Sequence, residues 1–380
     1  MEYVEIKKVG KVVTGNTPSK KENKYYDQNY IEFVKPSNFI SGKITNIKKG
    51  EEYLSYEGMK KGRVANKGDV LVTCIGNIGN VGIVEKKVCF NQQINAIRCN
   101  ENYINNKYLA NVIRYISPLL THMANKAVVP ILNKTQLENI KIPIFSMETQ
   151  EEIANILEII QKNIDKRKEQ LLLADELIKS RFIEMFGDPI KNDKGWEQKF
   201  LEKISSFESK NITKYLKCNN LIWLLNLEDI ERNTGKIIKK KMITKFEIPT
   251  SIIAFDENYV LYSKLRPYLN KVALPLEEGI GTSELIPIRP RDEVNRIYLF
   301  NVLTSESVLK FLKTKVSGAK MPRIIMSDFK KLKISLPGIK LQNEFAEFVT
   351  KIDKLKFEAE KSLKEMENLY DSLMQKFFKE

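Results

Sequence analysis

A five-residue stretch occurs twice in this sequence. Tyr108-Leu109-Ala110-Asn111-Val112 is repeated as Tyr298-Leu299-Phe300-Asn301-Val302, which lies 190 positions further along the chain. Upstream, Val70-Leu71-Val72 is repeated at the same offset as Val260-Leu261-Tyr262. Solenoid proteins repeat about every 20 to 50 residues. The much longer period here indicates a tandem duplication of a whole domain.

The match extends to both ends of the duplicated segment. Gly42-Lys43-Ile44 is repeated near its start as Gly235-Lys236-Ile237. Near its end, Gln150 is matched by Gln342, and the offset has grown to 192. Two copies of one domain can present two similar surfaces related by an approximate two-fold axis. That geometry suits a target with two halves.

The net charge of the chain indicates a polyanionic partner. Its 380 residues carry a formal charge of +15 at pH 7, and an excess of Lys and Arg is typical of nucleic-acid binding. The chain is also rich in Lys, Asn and Ile, a bias that a low-GC genome alone would produce. Charge therefore favours a nucleic-acid partner but leaves genome bias as an alternative.

Nothing in the sequence indicates a disulfide framework, a zinc site or a membrane span. The cysteines, Cys74, Cys89, Cys99 and Cys218, form no C-x-x-C pair, and we expect buried free thiols in a reducing cytosol. No apolar run approaches the roughly 18 to 20 residues that cross a bilayer. The N-terminus also lacks the features of a signal peptide. We expect a cytoplasmic protein with no membrane partner.

Each copy is expected to be a mixed α/β (α+β) domain followed by a long helix. We predict globular domains at residues 1–145 and 188–338, and long helices at residues 146–187 and 339–380. Apolar stretches broken by Gly, Asn and Pro predict short strands at residues 31–34, 69–75, 81–84, 96–99, 140–144 and 332–336. A helix is predicted at residues 105–123 of the first copy and at 294–315 of the second.

The two long helical segments contain no helix breakers. Residues 147–186 and 339–378 include neither Gly nor Pro, and forty helical residues span about 60 Å. In the second segment, steps of three and four are typical of a heptad seam: Phe345, Phe348, Ile352, Leu355, Ala359, Ser362, Met366, Leu369 and Leu373. Either each helix packs on its own domain, or the two pair as an antiparallel coiled coil with pseudo-two-fold symmetry. We favour pairing, because both helices are longer than such domains need.

Common catalytic motifs are missing from the sequence. His122 is the only histidine, so a multi-histidine metal site is not expected, and a histidine on an apolar helix is more typical of a structural residue. There is no phosphate loop, and there is no Asn/Asp-Pro-Pro-aromatic tetrapeptide of the amino-methyltransferases. Gly76, Gly79 and Gly82 lie between two predicted strands, which favours a hairpin over a dinucleotide site. We expect no catalytic residue and no metal site.

Polar and basic residues at predicted turns are the remaining candidates for a binding site, because function often lies on loops held by a rigid scaffold. Asn and Gln can pair with adenine and Arg or Lys with guanine, while other lysines bind phosphates. The first copy contributes Lys35, Asn38, Asn77, Gln92, Gln93 and Lys126. The second copy contributes Asn226, Lys264, Arg266, Tyr268, Lys320 and Arg323. About half are expected to contact a partner, and the others to be solvated turn residues.

With these residues, the chain resembles the DNA specificity subunits of type I restriction-modification systems over its whole length. The matching features are Gly15-Asn16-Thr17-Pro18-Ser19 with Tyr25-Tyr26, Ile75-Gly76-Asn77-Ile78-Gly79, Leu265-Arg266-Pro267-Tyr268-Leu269-Asn270-Lys271, and Ile142-Pro143 before Glu148-Thr149-Gln150. The second junction differs from the family pattern, with Ser335 for Pro and Asn343 in the acidic position.

The resemblance implies two target recognition domains, each reading one half of a bipartite double-stranded DNA target. It also implies that the helices set the spacing of the halves and hold two modification subunits, which bind S-adenosylmethionine. Separate restriction subunits would use ATP and Mg²⁺. No cofactor is then expected in this chain.

Two alternatives remain at this stage. One is the specificity chain of a related system in which a single partner polypeptide carries both the methyltransferase and the nuclease. The other is a scaffold that joins two protein-binding modules without binding DNA, the charge then being genome bias.

Overall fold

The computed structural model describes residues 2–124, 130–217, 220–318 and 321–379. The chain divides into two compact units, which we call the first unit and the second unit. The first unit comprises Met1–Arg167 and Ser362–Glu380, and the second comprises Lys168–Lys361. Each unit therefore contains one copy of the duplicated domain and part of each long helix. The four-segment division by sequence stays a prediction.

The first unit contains eleven strands among its described residues: β1 (Glu2–Glu5), β2 (Gly10–Thr14), β3 (Ile31–Val34), β4 (Ile44–Ile47), β5 (Glu52–Leu54), β6 (Val64–Ala65), β7 (Val70–Thr73), β8 (Val81–Val84), β9 (Val88–Phe90), β10 (Ile94–Cys99) and β11 (Lys141–Ile144). The helices that begin in it are α1 (Ile6–Val9), α2 (Tyr56–Lys61), α3 (Asn106–Ala124), α4 (Lys134–Glu138) and α5 (Met147–Phe186).

The strands of the first unit form three sheets. The largest has the order β2-β10-β7-β8-β4, a second has the order β5-β3-β9-β6, and β1 pairs with β11. Only the β3–β9 and β4–β8 pairs are parallel among those described. All four residues of β7 are buried, as expected for a strand that reads as a continuous run of Val and Leu.

The described part of the second unit contains these strands: β12 (Gln198–Phe200), β13 (Ser205–Ser206), β14 (Ile222–Leu225), β15 (Lys241–Ile243), β16 (Ile252–Phe255), β17 (Val260–Ser263), β18 (Val272–Ala273), β19 (Gly279–Thr282), β20 (Leu285–Pro290), β21 (Val316–Ser317), β22 (Arg323–Ile324) and β23 (Lys333–Ser335). The pair β21–β22 has no counterpart among the described strands of the first unit. The helices that begin in it are α6 (Leu201–Ile204), α7 (Thr213–Lys217), α8 (Arg296–Thr304), α9 (Glu306–Lys313), α10 (Met326–Lys330) and α11 (Ile339–Phe378).

The sheets of the second unit repeat the topology of the first. The order β15-β14-β19-β16 matches β5-β3-β9-β6, β13-β20-β17-β18 matches β2-β10-β7-β8, and β12-β23 matches β1-β11. The pair β14–β19 is parallel, like β3–β9. The fold therefore confirms the duplication that the sequence predicts, and both long helices are present at the expected positions.

The helix predicted at residues 294–315 is wrong as a single element, because the structure divides it into α8 and α9. Ser305 lies between them with an extended backbone (φ −63°, ψ 150°). Its hydroxyl accepts a hydrogen bond from the Val308 amide at 3.4 Å and donates one to the Val302 carbonyl at 2.7 Å. Glu306 follows in the first turn of α9, where a negative charge stabilises a helix N-terminus.

The ends of the two long helices complete the core of each unit. In the first unit, Tyr370, Met374 and Phe378 of α11 are buried with Ile153 and Leu157 of α5. Because the end of α11 packs beside the start of α5, the pairing in this unit is antiparallel.

The same arrangement recurs in the second unit with a different side-chain chemistry. Phe182 and Phe186, at the end of α5, pack with Phe345 near the start of α11 and with Tyr298 of α8. Ring centroids lie 4.8 to 5.7 Å apart, a range typical of edge-to-face and offset contacts. The predicted antiparallel pairing is thus present within each unit.

The heptad seam predicted for α11 is wrong in part. Leu355 and Leu369 are 66% and 50% exposed, whereas Val349, Tyr370 and Met374, which the seam omits, are buried. The reason is that the ends of α11 pack against domain cores as well as against α5. The buried face of α11 therefore differs from the heptad seam that pairing with α5 alone would bury.

A chain of polar contacts fixes α11 in the first unit. The Arg114 guanidinium donates to the Tyr370 hydroxyl at 2.7 Å and to the Gln161 side chain at 3.0 Å. The Tyr370 hydroxyl donates to Asn111 at 3.0 Å, and the Gln161 amide donates to Asp165 at 3.1 Å. Burial is the main reason that the pKa of Tyr370 is raised. The side chains of Arg114, Tyr370, Asn111, Gln161 and Asp165 thus satisfy one another's hydrogen-bonding groups at this junction.

The predicted environment of the cysteines is confirmed for Cys74 and Cys89, which are buried free thiols. Burial raises the pKa of each thiol to about 12. Cys99 is only half-buried, which corrects the expectation for that residue. Cys218 lies outside the described residues.

A buried glutamine joins each globular copy to its long helix. The Gln150 side chain accepts from the Asn105 amide at 2.9 Å and donates to the carbonyls of Tyr103 and Phe145 at 3.0 and 2.9 Å. Gln342 makes the equivalent three bonds in the second unit, at 2.7 to 3.1 Å. Both side chains are fully buried. The matched glutamines therefore satisfy three main-chain groups where the helix begins.

We expect Gln150→Leu to lower the free energy of unfolding of the first unit by about 2–3 kcal/mol, because buried main-chain groups then lose their partners. Amide hydrogen exchange should show faster exchange in α3 and the start of α5. The matched control is Gln375→Leu, since Gln375 lies on an exposed face of α11.

Gln342→Leu should move the same effect to α8 in the second unit. Equal exchange rates in the Gln150→Leu and Gln375→Leu variants would show that the buried glutamine does not stabilise the junction.

Candidate nucleic-acid interface

Three segments of the second unit are held side by side by main-chain hydrogen bonds. The Lys264 amide donates to the Glu284 carbonyl at 2.8 Å, and the Ile324 amide donates to the Lys264 carbonyl at 3.0 Å. The Arg266 amide donates to the Pro322 carbonyl at 2.7 Å. The candidates Lys264, Arg266 and Arg323 therefore lie in one cluster, although up to 59 positions separate them in sequence.

The side chains of this cluster are accessible and mostly charged. Arg266 is exposed on a residue with left-handed backbone geometry (φ 50°). Tyr268 is 47% exposed in the adjoining turn, and Lys264 is half-buried. The Arg323 guanidinium donates from Nη2 and Nε to the Glu284 carboxylate at 2.9 and 3.4 Å. This hydrogen-bonded carboxylate raises the pKa of Arg323 above its usual range.

The first unit builds the same main-chain framework. The Cys74 amide donates to the Gln93 carbonyl at 2.7 Å, and the Leu132 amide donates to the Cys74 carbonyl at 2.9 Å. Ile75 and Ile131 form an isolated bridge, as Leu265 and Arg323 do in the second unit. Cys74, Gln93 and Ile131 thus occupy the places of Lys264, Glu284 and Arg323. At these places the first unit has a buried thiol, a half-buried amide and an exposed isoleucine, whereas the second unit has three charged side chains.

The predicted candidates Asn77 and Gln92 of the first unit are exposed near this framework. Asn77 lies in the loop between the antiparallel strands β7 and β8, where Gly76 and Gly79 have positive φ values of 77° and 82°. The hairpin interpretation is therefore confirmed for Gly76 and Gly79, whereas Gly82 lies within β8 and not between the strands. The Gln92 side chain accepts a hydrogen bond from the Thr17 hydroxyl, while Gln93 is half-buried and accepts from the Asn91 side chain at 3.0 Å.

Three other candidates are occupied by contacts within the chain. Asn38 accepts from the Lys35 amide at 2.8 Å, and the Lys35 ammonium pairs with Glu52 at 2.6 Å. The Asn226 side chain donates to Asp229 at 3.1 Å. These contacts shape the short turns that follow β3 and β14, so a DNA contact by these residues stays a prediction. Lys126 and Lys320 lie outside the described residues.

Sequence reasoning did not identify two contacts of the candidate residues, one in each unit. The pairing of Glu284 with Arg323 joins residues from different loops, which hydrophobic periodicity does not reveal. Thr17 belongs to the matching stretch Gly15-Asn16-Thr17-Pro18-Ser19, but the sequence does not predict that its hydroxyl binds the Gln92 side chain. In both cases the two residues are far apart in sequence, so only the folded structure shows that they are in contact.

The described ranges contain neither a metal-binding cluster nor a membrane-spanning helix. These residues contain no group of three or more His, Cys, Asp or Glu side chains placed to hold a metal ion. None of the described helices is both long and apolar enough to cross a membrane.

Comparison with known proteins assigns the chain to a family. The model of the type I restriction modification DNA specificity domain matches residues 1–174 and 253–368. These ranges cover more than half of the sequence, so the chain belongs to this family.

Individual relatives agree with the family assignment. The MjaIX type I restriction enzyme specificity subunit of Methanocaldococcus jannaschii is 23% identical over 402 residues, which cover 98% of this chain and 91% of that protein. The MjaVIII specificity subunit of the same organism is 22% identical over 391 residues, 89% of this chain and 90% of that protein. A crystal structure of a type I restriction-modification S subunit from M. genitalium has a similar fold, with a TM-score of 0.60, 13% identity, and coverage of 100% of this chain and 96% of that chain.

The protein is therefore a specificity subunit of a type I restriction-modification system. Such subunits are the non-catalytic, DNA-recognising components of these systems. The prediction of a DNA-binding subunit without its own catalytic site is confirmed.

We expect Arg266→Gly to weaken DNA binding without straining the turn, because glycine readily adopts the positive φ of this residue. Loss of one phosphate-binding cation should weaken binding and reduce the slope of log affinity against log salt concentration by about 1. Fluorescence anisotropy of a labelled duplex at several salt concentrations measures both quantities.

The matched control is Asn233→Gly, since Asn233 is exposed in the same unit with a φ of 66° and carries no charge. If the two glycine variants bound DNA equally well, the side chain of Arg266 would not contact DNA.

Proposed function

We propose that each unit reads one half of a bipartite double-stranded DNA target, and that the two halves differ in sequence. The observation that carries this proposal is the shared main-chain framework with different side chains at Cys74 and Lys264, Gln93 and Glu284, and Ile131 and Arg323. A rigid framework places side chains reproducibly, while base readout depends on which donors and acceptors they present. Two such copies in one chain suit an asymmetric target.

Lysines and arginines near the framework supply the phosphate contacts in this proposal. Phosphate contacts fix the position of a protein on the duplex, whereas contacts to base edges determine the sequence that is read. In this proposal Lys264 and Arg266 contact phosphates, or both phosphates and base edges. The exposed amides of Asn77 and Gln92 contact base edges.

We further propose that the long helices bind two modification subunits. Support comes from apolar side chains exposed on α5, including Leu172, Leu173 and Leu177 in the second unit and Ile159 in the first. Exposed apolar patches of this kind are typical of protein interfaces. The partner subunits would bind S-adenosylmethionine, and restriction subunits would bind ATP and Mg²⁺. The complex would act in the cytoplasm, where its DNA is found.

The identity of the partners distinguishes this proposal from the related system with a fused partner. Purification of the tagged chain from its host, followed by mass spectrometry, should recover separate modification and restriction polypeptides. Recovery of a single polypeptide with both activities would favour the alternative.

DNA binding by the isolated chain should depend strongly on salt. If six or more phosphates are neutralised, affinity for a duplex should fall about a thousandfold between 50 and 200 mM salt, because bound counterions are released. Titration of a labelled duplex at four salt concentrations measures this dependence. Lys162→Gln is the control, since Lys162 pairs with Glu158 on α5 and is not one of the candidate turn residues, and it should leave the slope unchanged.

A nearly constant affinity over the same range would contradict DNA binding. It would instead favour a scaffold that joins protein modules.

A further inference from the structure

The ion pair between Arg323 and Glu284 leaves one edge of the arginine side chain free for a hydrogen-bonding partner. Glu284 binds the side of the guanidinium through Nε and Nη2. In the described part of the chain, Nη1 of Arg323 makes no hydrogen bond. One N–H of Nη2 and both N–H groups of Nη1 therefore remain free. Two of these three donors, one on each nitrogen, form the outer edge and point in nearly the same direction.

The main chain holds this side chain on a fixed support. Arg323 lies on β22, which pairs with Ser317 of β21 on one side. Leu265 forms an antiparallel bridge with Arg323, and the carbonyl of Glu284 is bonded to the Lys264 amide. Both members of the pair thus belong to the framework described above. Side chains supported in this way can read bases with defined geometry.

The carboxylate also indicates which part of DNA the pair meets. A phosphate placed against Glu284 would be repelled, whereas a base edge carries no net charge. The two outer donors of an arginine match the O6 and N7 acceptors of guanine in the major groove. A glutamate beside them can accept from the N4 amine of cytosine. The pair therefore matches both members of a G·C base pair.

We propose that Arg323, oriented by Glu284, reads a guanine in the half-site bound by the second unit. The inference rests on the proposed bipartite reading and adds the base class recognised at one position. In the first unit Ile131 and Gln93 occupy these places, so that unit lacks this guanine reader. Arg323 is then a specificity-determining residue, and Glu284 is its positioning residue.

The test is selection of binding sites by the full-length chain from random duplexes, with wild type and Arg323→Lys compared. Lysine keeps the charge but loses the planar pair of donors. Wild type should yield a bipartite motif. Arg323→Lys should lose preference at one G·C pair of one half-site, while the other half stays unchanged. Direct competition at that position should show a loss of discrimination of about tenfold or more, with the salt dependence unchanged.

Glu284→Gln is a second variant with a distinctive signature. It removes a negative charge near DNA, so overall affinity should rise while discrimination at the same G·C pair falls. If Glu284 only stabilised the fold, its replacement would not raise the overall affinity while lowering discrimination at the G·C pair. Arg181→Lys is the matched control, because Arg181 is ion-paired with Glu184 on α5 and should leave the motif intact. Thermal unfolding checks that each variant is folded.

The outcomes separate this inference from the proposed function. A wild-type chain without sequence preference would overturn both. A bipartite wild-type motif that Arg323→Lys leaves unchanged would overturn the guanine assignment alone. The guanine assignment would also be overturned if Arg323→Lys lost affinity equally for all sequences, since Arg323 would then contact a phosphate. It would be overturned likewise if the variant lost its preference at an A·T pair.

Discussion

The burial of the end of α11 in the first unit is the constraint on which the structure depends. Tyr370, Met374 and Phe378 complete a core that otherwise comes from the first 167 residues. The bond between Tyr370 and Asn111 joins residues 259 positions apart. Closing so long a loop costs conformational entropy, and burial of three large side chains with a satisfied polar network offsets that cost. The core of the first unit is thus complete only when the residues up to Phe378 have been added to the chain.

This constraint explains why the turn residues are free to differ between the copies. Stability comes from the cores, the helix ends and the buried glutamines Gln150 and Gln342. The framework side chains of Ile131, Lys264 and Arg323 lie outside these cores, whereas Cys74 belongs to the core of the first unit. Loops on a stable scaffold can change their side chains at little cost to folding. The same main-chain bonds then support Ile131 in one unit and Arg323 in the other. Because the exposed framework side chains are not needed for stability, the two copies can recognise different partners while keeping the same fold.

The sequence predicted the features that depend on local pattern. The duplication, the two long helices and the hairpin around Gly76 and Gly79 follow from repeats, missing helix breakers and glycine spacing. The break at Ser305 was missed because residues 294–315 contain neither Gly nor Pro, while a hydroxyl cap decides the local geometry. The seam through Leu355 and Leu369 failed because α11 packs on more than one partner surface. The pairing of Arg323 with Glu284 depends on tertiary structure.

The central claim is that the end of α11 closes the first unit, and removal of residues 362–380 tests it most directly. Amide hydrogen exchange of the shortened chain should show lost protection in α3 and the first half of α5, with protection in the second unit kept. Addition of the missing segment as a peptide should restore protection. Unchanged exchange throughout the first unit would contradict the account, because its core would then be complete without the returning helix.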